Sequence, residues 1–345
     1  MISTENVRDV LEAAQAFIGT NGRGSSAVAL AAFLVVLTGC TSGDSAASEG
    51  GASSATATSG TLVAAEAETL LQIASSNQQW VEQLSWDLDA DPCTWTGIVC
   101  SDDEVVTISL ADSELTGEVP AELAELTNLQ QLGLGGNRLT GEIPVELADL
   151  ADLEGLALNG NRLTGGVPIE LAELTNLQQL GLGGNRLTGE IPVELASLTN
   201  LQQLGLGGNR LTGEIPVELA ELSDLEGLGL NGNRLAGEVP VELAELTNLE
   251  RLSLSSNELE GEIPAEFANL TNLQQLVLGD NRLTGEIPSE LAELANLERL
   301  VLGDNRLTGE IPSELAELAN LEELTLDGNR LTGPVPRGLR DILEA

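Results

Sequence analysis

Residues 177–200 read LQQLGLGGNRLTGEIPVELASLTN, and residues 201–224 repeat the same 24-residue pattern almost letter for letter. A fixed period of this length is typical of a solenoid, in which each unit buries its apolar face only against its neighbours. The chain is therefore expected to offer an extended surface rather than an enclosed site. Ten copies, without an insertion, open at Val105, Leu129, Leu153, Leu177, Leu201, Leu225, Leu249, Leu273, Leu297 and Leu321.

Within one repeat, the first, fourth and sixth positions are predicted to point inward from a short strand, as at Leu129, Leu132 and Leu134. The residues between them then lie on a concave, solvent-facing sheet, because side chains alternate along a strand. Nine repeats carry asparagine at the ninth position, next to core leucines. An amide there can donate and accept at once, so we expect a buried ladder that links adjacent coils.

The composition excludes several kinds of chemistry. There is no histidine or tyrosine, and all 14 basic residues are arginine, so His-based nucleophile systems and Schiff-base lysines are excluded. No metal, cofactor or enzymatic activity is expected. The formal net charge of −41 repels nucleic acid and anionic membrane surfaces. Two explanations of this charge stay open: solubility in a salty medium, or capture of cations or a basic partner.

The N-terminal region has the pattern of an export signal. Residues 27–37 (AVALAAFLVVL) form an apolar run that follows Arg23 and is too short to span a bilayer. The run ends in Leu37-Thr38-Gly39-Cys40, which resembles the lipobox of bacterial lipoproteins. That resemblance implies cleavage before Cys40 and a lipid on its thiol. The alternative is an incidental cysteine beside an ordinary signal peptide.

The segments on either side of this motif differ in composition. Residues 1–39 are predicted to be a signal peptide, although residues 1–22 contain Glu5, Asp9 and Glu12, which an over-long gene model explains. Residues 40–61 are rich in glycine, serine, alanine and threonine and are predicted to form a flexible tether.

The next segment is predicted to cap the solenoid. Cys93 and Cys100 are an even pair in an exported chain, for which a disulfide is the default. The stretch that contains them, residues 91–100 (DPCTWTGIVC), resembles the N-terminal cap of plant-type leucine-rich-repeat proteins. The resemblance places a cap at residues 62–104, with all three tryptophans in its core. A helix is predicted around the apolar residues Leu70, Leu71, Ile73, Trp80, Leu84 and Trp86.

Residues 139–144 (LTGEIP) resemble the segment that marks the plant-type subclass of leucine-rich repeats. The resemblance implies an α/β solenoid over residues 105–345, a leucine-rich-repeat superhelix with a parallel concave β-sheet, short second strands and a 3₁₀-rich convex side. The last repeat would serve as the C-terminal cap. Gly141 permits the tight bend, and Pro144 fixes φ where the second strand must stop.

The predicted concave face is nearly bare in repeats two to six, where glycines dominate, and varied in the last four repeats. If the sheet binds a ligand, the variable half is where binding is expected; the alternative is a merely solvated face. The candidate ligand-binding residues are Glu250, Arg251, Ser253, Asp280, Glu298, Arg299, Asp304, Glu322, Glu323 and Asp327.

Three further columns run along the repeats. An arginine column, as at Arg138, is followed four residues later by a glutamate column, as at Glu142, and we expect the two to relieve like-charge stacking. A threonine column, as at Thr140, is compatible with ice binding but is interrupted by Ala236 and Glu260.

The leading hypothesis is a non-enzymatic, surface-anchored module for recognition or adhesion outside the cell. Its partner would be an extracellular protein, peptide or glycan, and it would contact the membrane only through a lipid. A monomer is expected. The alternative is a structural stalk or an ice-interacting surface protein without a specific ligand. The near-copies, repeats two, four and five, favour that alternative, whereas the charged and varied sheet of repeats seven to nine favours recognition.

Overall fold

The computed structural model of the chain describes residues 62–343. It confirms the predicted fold class: an 11-stranded sheet in which the strands lie in sequence order, β1 to β11. β1 pairs with β2 in antiparallel fashion, and every later pairing is parallel. No helix among these residues is both long and apolar enough to cross a bilayer.

The helices and strands are short. The helices are α1 (Ala64–Ser76), α2 (Gln78–Leu84) and α3 (Arg340–Leu343). The strands are β1 (Ile98–Ser101), β2 (Glu104–Ser109), β3 (Gln131–Gly133), β4 (Gly155–Ala157), β5 (Gln179–Gly181), β6 (Gln203–Gly205), β7 (Gly227–Gly229), β8 (Arg251–Ser253), β9 (Gln275–Val277), β10 (Arg299–Val301) and β11 (Glu323–Thr325). A 3₁₀ turn such as Val145–Asp149 follows each of the strands β2 to β11 on the opposite side of its coil.

The core is one continuous column of leucines. Leu129, Leu132 and Leu134 are fully buried, and the equivalent leucines of the other repeats join them in a single cluster that extends into the cap. Leu132 is in register with Leu156 of the next strand, so the 24-residue period stacks like on like. Each buried leucine contributes about 1.5–3 kcal/mol relative to exposure. Phe267 replaces a leucine in repeat seven and is equally buried.

The asparagine column forms the predicted ladder. The side-chain nitrogen of Asn185 donates to the carbonyls of Leu158 in the preceding coil and Leu182 in its own coil, both at 3.0 Å. Its Oδ1 accepts from the backbone N–H of Leu163 at 3.0 Å. One side chain therefore bonds three backbone groups: it is the acceptor for the N–H of Leu163, and it shares the two carbonyls with Asn161 and Asn209.

The predicted second strands are reduced to single β-bridges, as between Glu118 and Thr140. The backbone hydrogen bonds nevertheless continue along this flank: the N–H of Thr140 donates to Gly117 at 2.7 Å, and that of Arg138 donates to Leu115 at 2.8 Å. Gly141 explains why the strand is short. Its φ of 82° breaks the extended run, and the stem of Glu118 fills the space that a β-carbon would need.

The cap contains two helices rather than the one predicted. The first ends at Ser76, the second begins at Gln78, and Trp86 lies beyond both. Trp86 stacks on Trp95 with ring centroids 4.7 Å apart, and both rings are buried. The Cys93–Cys100 disulfide is confirmed, with its Cα atoms 5.7 Å apart.

A buried carboxylate joins the cap to the first coils. Glu66 of α1 accepts hydrogen bonds from the backbone N–H of Val105 at 2.8 Å and from the amide of Asn128 at 3.2 Å. Trp80 of α2 donates its indole N–H to the carbonyl of Thr116 at 2.9 Å. These contacts cover the apolar edge that the first repeat would otherwise expose.

The charge columns pair differently from the prediction. Arg138 contacts Glu114 at 3.3 Å, and Arg282 contacts Glu258 at 2.7 Å; both glutamates occupy arginine positions of a neighbouring coil. Among residues 62–343, no ion pair joins the arginine column to the Glu142 column. The threonine column lies between them, and four extended residues span about 13 Å. The glutamate column therefore keeps its like-charge repulsion, whereas the arginine column is relieved at Glu114 and Glu258.

Salt is predicted to stabilise this fold. The carboxylates of adjacent coils are about 4.8 Å apart. This distance is shorter than the Debye length of about 10 Å at 0.1 M salt and longer than the Debye length of about 3 Å at 1 M salt. One adjacent pair at that spacing costs about 0.9 kcal/mol in water. The thermal midpoint, measured by circular dichroism, should therefore rise by about 5 °C or more between 0.1 M and 1 M NaCl.

A glutamine variant separates charge screening from general salting-out. Replacing Glu190, Glu238 and Glu286 with Gln removes every second charge of the column in that region and keeps the stems that pack on Gly213, Gly261 and Gly309. The variant should have a higher midpoint at 0.1 M salt and a smaller rise on adding salt. A wild-type midpoint that does not depend on salt would contradict the explanation.

Candidate functional site

The concave sheet presents four side-chain positions per coil, two on each side of the inward leucine of each strand. In repeats two to six, these positions carry mostly glycine and glutamine. Gln131 lies across Gly155 of the next strand, and Gln203 lies across Gly227 in the same way, so each glycine makes room for a neighbouring amide. This half of the face is a shallow floor without aromatic or basic anchors, and its charged side chains are Glu154 and Glu226.

One amide on this floor has an unused acceptor. Gln179 is buried, and its Oε1 has no hydrogen-bond partner. Buried polar atoms without a partner cost about 1–3 kcal/mol, so they are uncommon. The sequence alone did not single out Gln179, because the same residue type recurs in the column and only the packed sheet shows which copy is covered.

The structure brings two predicted residues, Glu250 and Arg251, into one polar network. Arg251 contacts the carboxylate of Glu250 at 3.5 Å and donates to Oε1 of Gln203, two coils away, at 3.3 Å. The amide of Gln203 in turn donates to Glu226 at 3.4 Å. The intervening Gly227 allows this reach. Gln203 and Glu226 were not predicted, since the contact spans 48 residues of sequence.

A second pair lies nearer the C-terminal end of the sheet. Arg299 contacts Glu323 of the next strand at 2.9 Å, and both side chains are about half exposed. Glu298 and Glu322, on the adjacent column, are exposed. Among the residues described, no ion pair joins the Arg299 pair to the network around Arg251. The predicted site is therefore two charged clusters on one face.

The remaining predicted residues lie at the edge of the sheet or between the clusters. Asp280 and Asp304 both have a φ of 54°, at a position where most repeats carry glycine, and both are exposed. Left-handed backbone costs a residue with a β-carbon about 1–2 kcal/mol, least for Asp and Asn. Asp327 is exposed, and Ser253 is partly buried on β8. Cys40 lies outside the described residues.

The arrangement can bind but shows no means of covalent chemistry. The face offers carboxylates, two guanidinium groups and several amides, which are suited to hydrogen-bonding a polar ligand. Within residues 62–343, no group of three or more acidic, histidine or cysteine side chains is placed to hold a metal ion.

Comparison with known families agrees with the geometry. The model of the leucine rich repeat N-terminal domain matches residues 63–101. The leucine rich repeat model matches residues 128–150, 176–198, 200–222, 296–318 and 320–342, and a two-copy model matches residues 247–293. The chain belongs to the leucine-rich repeat family.

Several similar proteins are plant receptors. A probable leucine-rich repeat receptor-like protein kinase of Arabidopsis thaliana is 36% identical over 69 residues, which cover 20% of this chain and 10% of the kinase. The ectodomain of the Arabidopsis thaliana receptor kinase GASSHO1/SCHENGEN3, solved in complex with CASPARIAN STRIP INTEGRITY FACTOR 2, has a TM-score of 0.75 and 41% identity. The match covers 79% of this chain and 34% of that ectodomain.

One similar structure is close to this chain in extent. A plant ice-binding protein has a TM-score of 0.72 and 32% identity, with 81% of this chain and 91% of that protein covered. By contrast, the chain spans only a small part of the receptor kinases it matches.

Proposed function

We propose that this chain is a non-enzymatic recognition module that acts outside the cell and binds an extracellular protein, peptide or glycan on its concave face. The observation that carries the proposal is the polar network around Arg251, which reaches across three coils and ends the glycine floor. The GASSHO1/SCHENGEN3 ectodomain, solved in complex with CASPARIAN STRIP INTEGRITY FACTOR 2, supports the proposal because it has the same solenoid architecture.

The binding surface is proposed to extend from Gln203 to Asp327. Its two arginines are already engaged by Glu250 and Glu323, so a ligand would meet oriented guanidinium groups rather than freely rotating ones. Exposed Glu298 and Glu322 add acceptors for ligand hydroxyl or ammonium groups. Preorganised groups lose less conformational entropy on binding, which favours affinity.

A lipid anchor at Cys40 is the second part of the proposal. It rests on the lipobox-like residues 37–40 alone, with residues 40–61 as the tether and residues 62–104 as the cap. A chain of about 20 flexible residues has a root-mean-square length of about 25 Å, which would hold the cap clear of the lipid surface.

An ice-interacting surface is the second candidate, favoured by the similarity to the plant ice-binding protein. Seven of the eight threonines in the column are exposed. Their hydroxyls take a regular orientation: Thr164 donates to Gly141, and Thr308 donates to Gly285, both at 3.1 Å. The column is interrupted at Ala236 and Glu260, so no uninterrupted rank spans the repeats.

Charge reversal tests the concave site. Cells that display the full chain are tested for retention on arrays of immobilised peptides and glycans. The variant carries Glu250→Arg, Arg251→Glu, Glu298→Arg and Arg299→Glu, which leaves the net charge unchanged. Retention should fall about tenfold or more, equivalent to about 1.4 kcal/mol, because the network that orients the guanidinium groups is lost.

The matched control carries Glu142→Arg, Arg162→Glu, Arg186→Glu and Glu190→Arg on the flank and should retain wild-type binding. Equal retention by the two variants would contradict the proposed site. Thermal hysteresis of freezing in the wild-type chain, together with unaffected retention by the concave variant, would favour the ice-interacting candidate.

Cys40→Ala tests the anchor separately. The variant should leave the detergent-extracted membrane fraction and appear in the soluble fraction, since a lipid cannot be attached without the thiol. A Cys40→Ser variant should behave in the same way, whereas an unrelated change in the tether such as Thr58→Ala should not. Continued membrane partitioning of Cys40→Ala would refute lipidation.

A further inference from the structure

An exposed apolar stripe runs along the side of the solenoid opposite the concave sheet. It consists of the residues that open successive 3₁₀ turns in repeats two to six, and each is 43–54% exposed. With coils about 4.8 Å apart, the stripe is about 19 Å long. Its members are Val145, Ile169, Val193, Val217 and Val241.

The stripe ends in a groove of about 980 Å³ where the repeat departs from its pattern. Val217, Val241 and Pro264 are among the apolar residues that line the groove. Repeat six has Ala236 instead of threonine, and repeat seven has Ala265 instead of the stripe valine, so smaller side chains stand at this end of the stripe. Both departures lie beside the groove, which indicates a local site rather than a property of every coil.

The walls of the groove are acidic. Six carboxylates line it, and no basic residue does; they belong to Glu214, Glu238, Glu242, Glu260, Glu262 and Glu266. Glu260 stands where eight repeats have threonine, and it forms a β-bridge with Glu238. None of the six carboxylates has an ion pair among residues 62–343.

Three of these glutamates are held in place by the fold. The stems of Glu214, Glu238 and Glu262 lie against Gly237, Gly261 and Gly285 of the following coils, where a β-carbon would collide with them. These carboxylates therefore face solvent from fixed stems, and a ligand need not order them. The backbone of each glycine is left-handed, with φ of 79–81°, so the packing and the bend require the same residue.

The spacing of the charges decides what kind of ligand fits. No three acidic groups in the described region converge closely enough to hold a metal ion. A ligand that neutralises them must therefore carry several cationic groups spread along its length. An anionic polymer or lipid surface would be repelled.

We propose that the groove and the adjoining stripe bind an extended basic peptide segment of a partner protein. Lysine and arginine stems would pack on the valines and prolines while their charged ends reach the glutamates. The length of the stripe favours a peptide over a small polyamine, because about six extended residues are needed to cover 19 Å. This surface is separate from the concave face and does not depend on binding there.

The test uses the full chain and a fluorescent eight-residue peptide of alternating lysine and valine, titrated by anisotropy at 0.15 M NaCl. The groove variant carries Glu238→Gln, Glu242→Gln and Glu262→Gln. The control carries Glu286→Gln, Glu290→Gln and Glu310→Gln, which occupy the same three repeat positions two coils further on, outside the groove. We expect the groove variant to bind at least tenfold more weakly than wild type and the control to stay within threefold.

A second pair of variants tests the apolar floor. Val217→Ser with Val241→Ser should weaken binding at least fivefold, whereas Val63→Ser with Val99→Ser, two exposed apolar residues of the cap that belong to neither the stripe nor the groove, should weaken it less than twofold. Serine is compatible with the turn, since Ser289 and Ser313 occupy this position in later repeats.

The proposal is overturned if the wild-type chain does not bind the peptide. It is also overturned if the dissociation constants of the groove and control variants differ by less than threefold, because that result would indicate diffuse charge attraction. It is also overturned if spermine binds as tightly as the peptide and the Val217/Val241 variant binds both as well as wild type does.

Discussion

In nine of the ten coils, one buried or partly buried asparagine fastens the coil to the coil before it. At Asn209, the side-chain nitrogen donates to Leu182 of the preceding coil and Leu206 of its own coil, and Oδ1 accepts from Leu187. The chain leaves the concave sheet at this point and must bend while remaining inside the core. Because the amide satisfies the backbone groups of the bend, the leucines on both sides can stay fully buried and in register.

The period that aligns the asparagines also aligns everything on the surface. Like stacks on like, so a glutamine column, an arginine column and several glutamate columns run along the chain. Identical residues in successive coils favour regular packing of the core, but they also place like charges next to each other on the surface. The two proposed binding surfaces lie where the sequence departs from the repeat consensus. Arg251 follows the last glycine-rich coil of the concave sheet. Glu260 lines the acidic groove, and Ala236 and Ala265 lie beside it.

The sequence predicted the fold well because its decisive interactions are periodic. The inward leucines, the Asn185-type ladder and the Cys93–Cys100 pairing each follow from position within a repeat or cap. Two local features differed. The cap helix is broken between Ser76 and Gln78, and the second strand is cut short by the left-handed backbone at Gly141. Apolar spacing encodes neither the break at Asn77 nor the left-handed backbone of the glycine.

The surface was less predictable, since its contacts join residues that are far apart in sequence. Arg251 reaches Gln203 only because Gly227 leaves the path open, and a list of variable positions cannot show this. The groove was likewise hidden, because Val217 and Val241 look like ordinary members of a repeat until their exposure is known. The sequence feature that distinguishes the coils at the groove is the set of non-consensus residues Ala236, Glu260 and Ala265.

The central claim is that the asparagine ladder holds adjacent coils together, and hydrogen exchange tests it most directly. In Asn209→Ala, the amide of Leu187 loses its acceptor, at about 1–3 kcal/mol for a buried group left unpaired. The carbonyls of Leu182 and Leu206 each lose one of two asparagine donors and keep the other, from Asn185 and Asn233. We predict at least about tenfold less protection at Leu187 and its neighbours than in Asn200→Ala, which removes only an exposed bond to Thr175. Equal protection in the two variants would contradict the account.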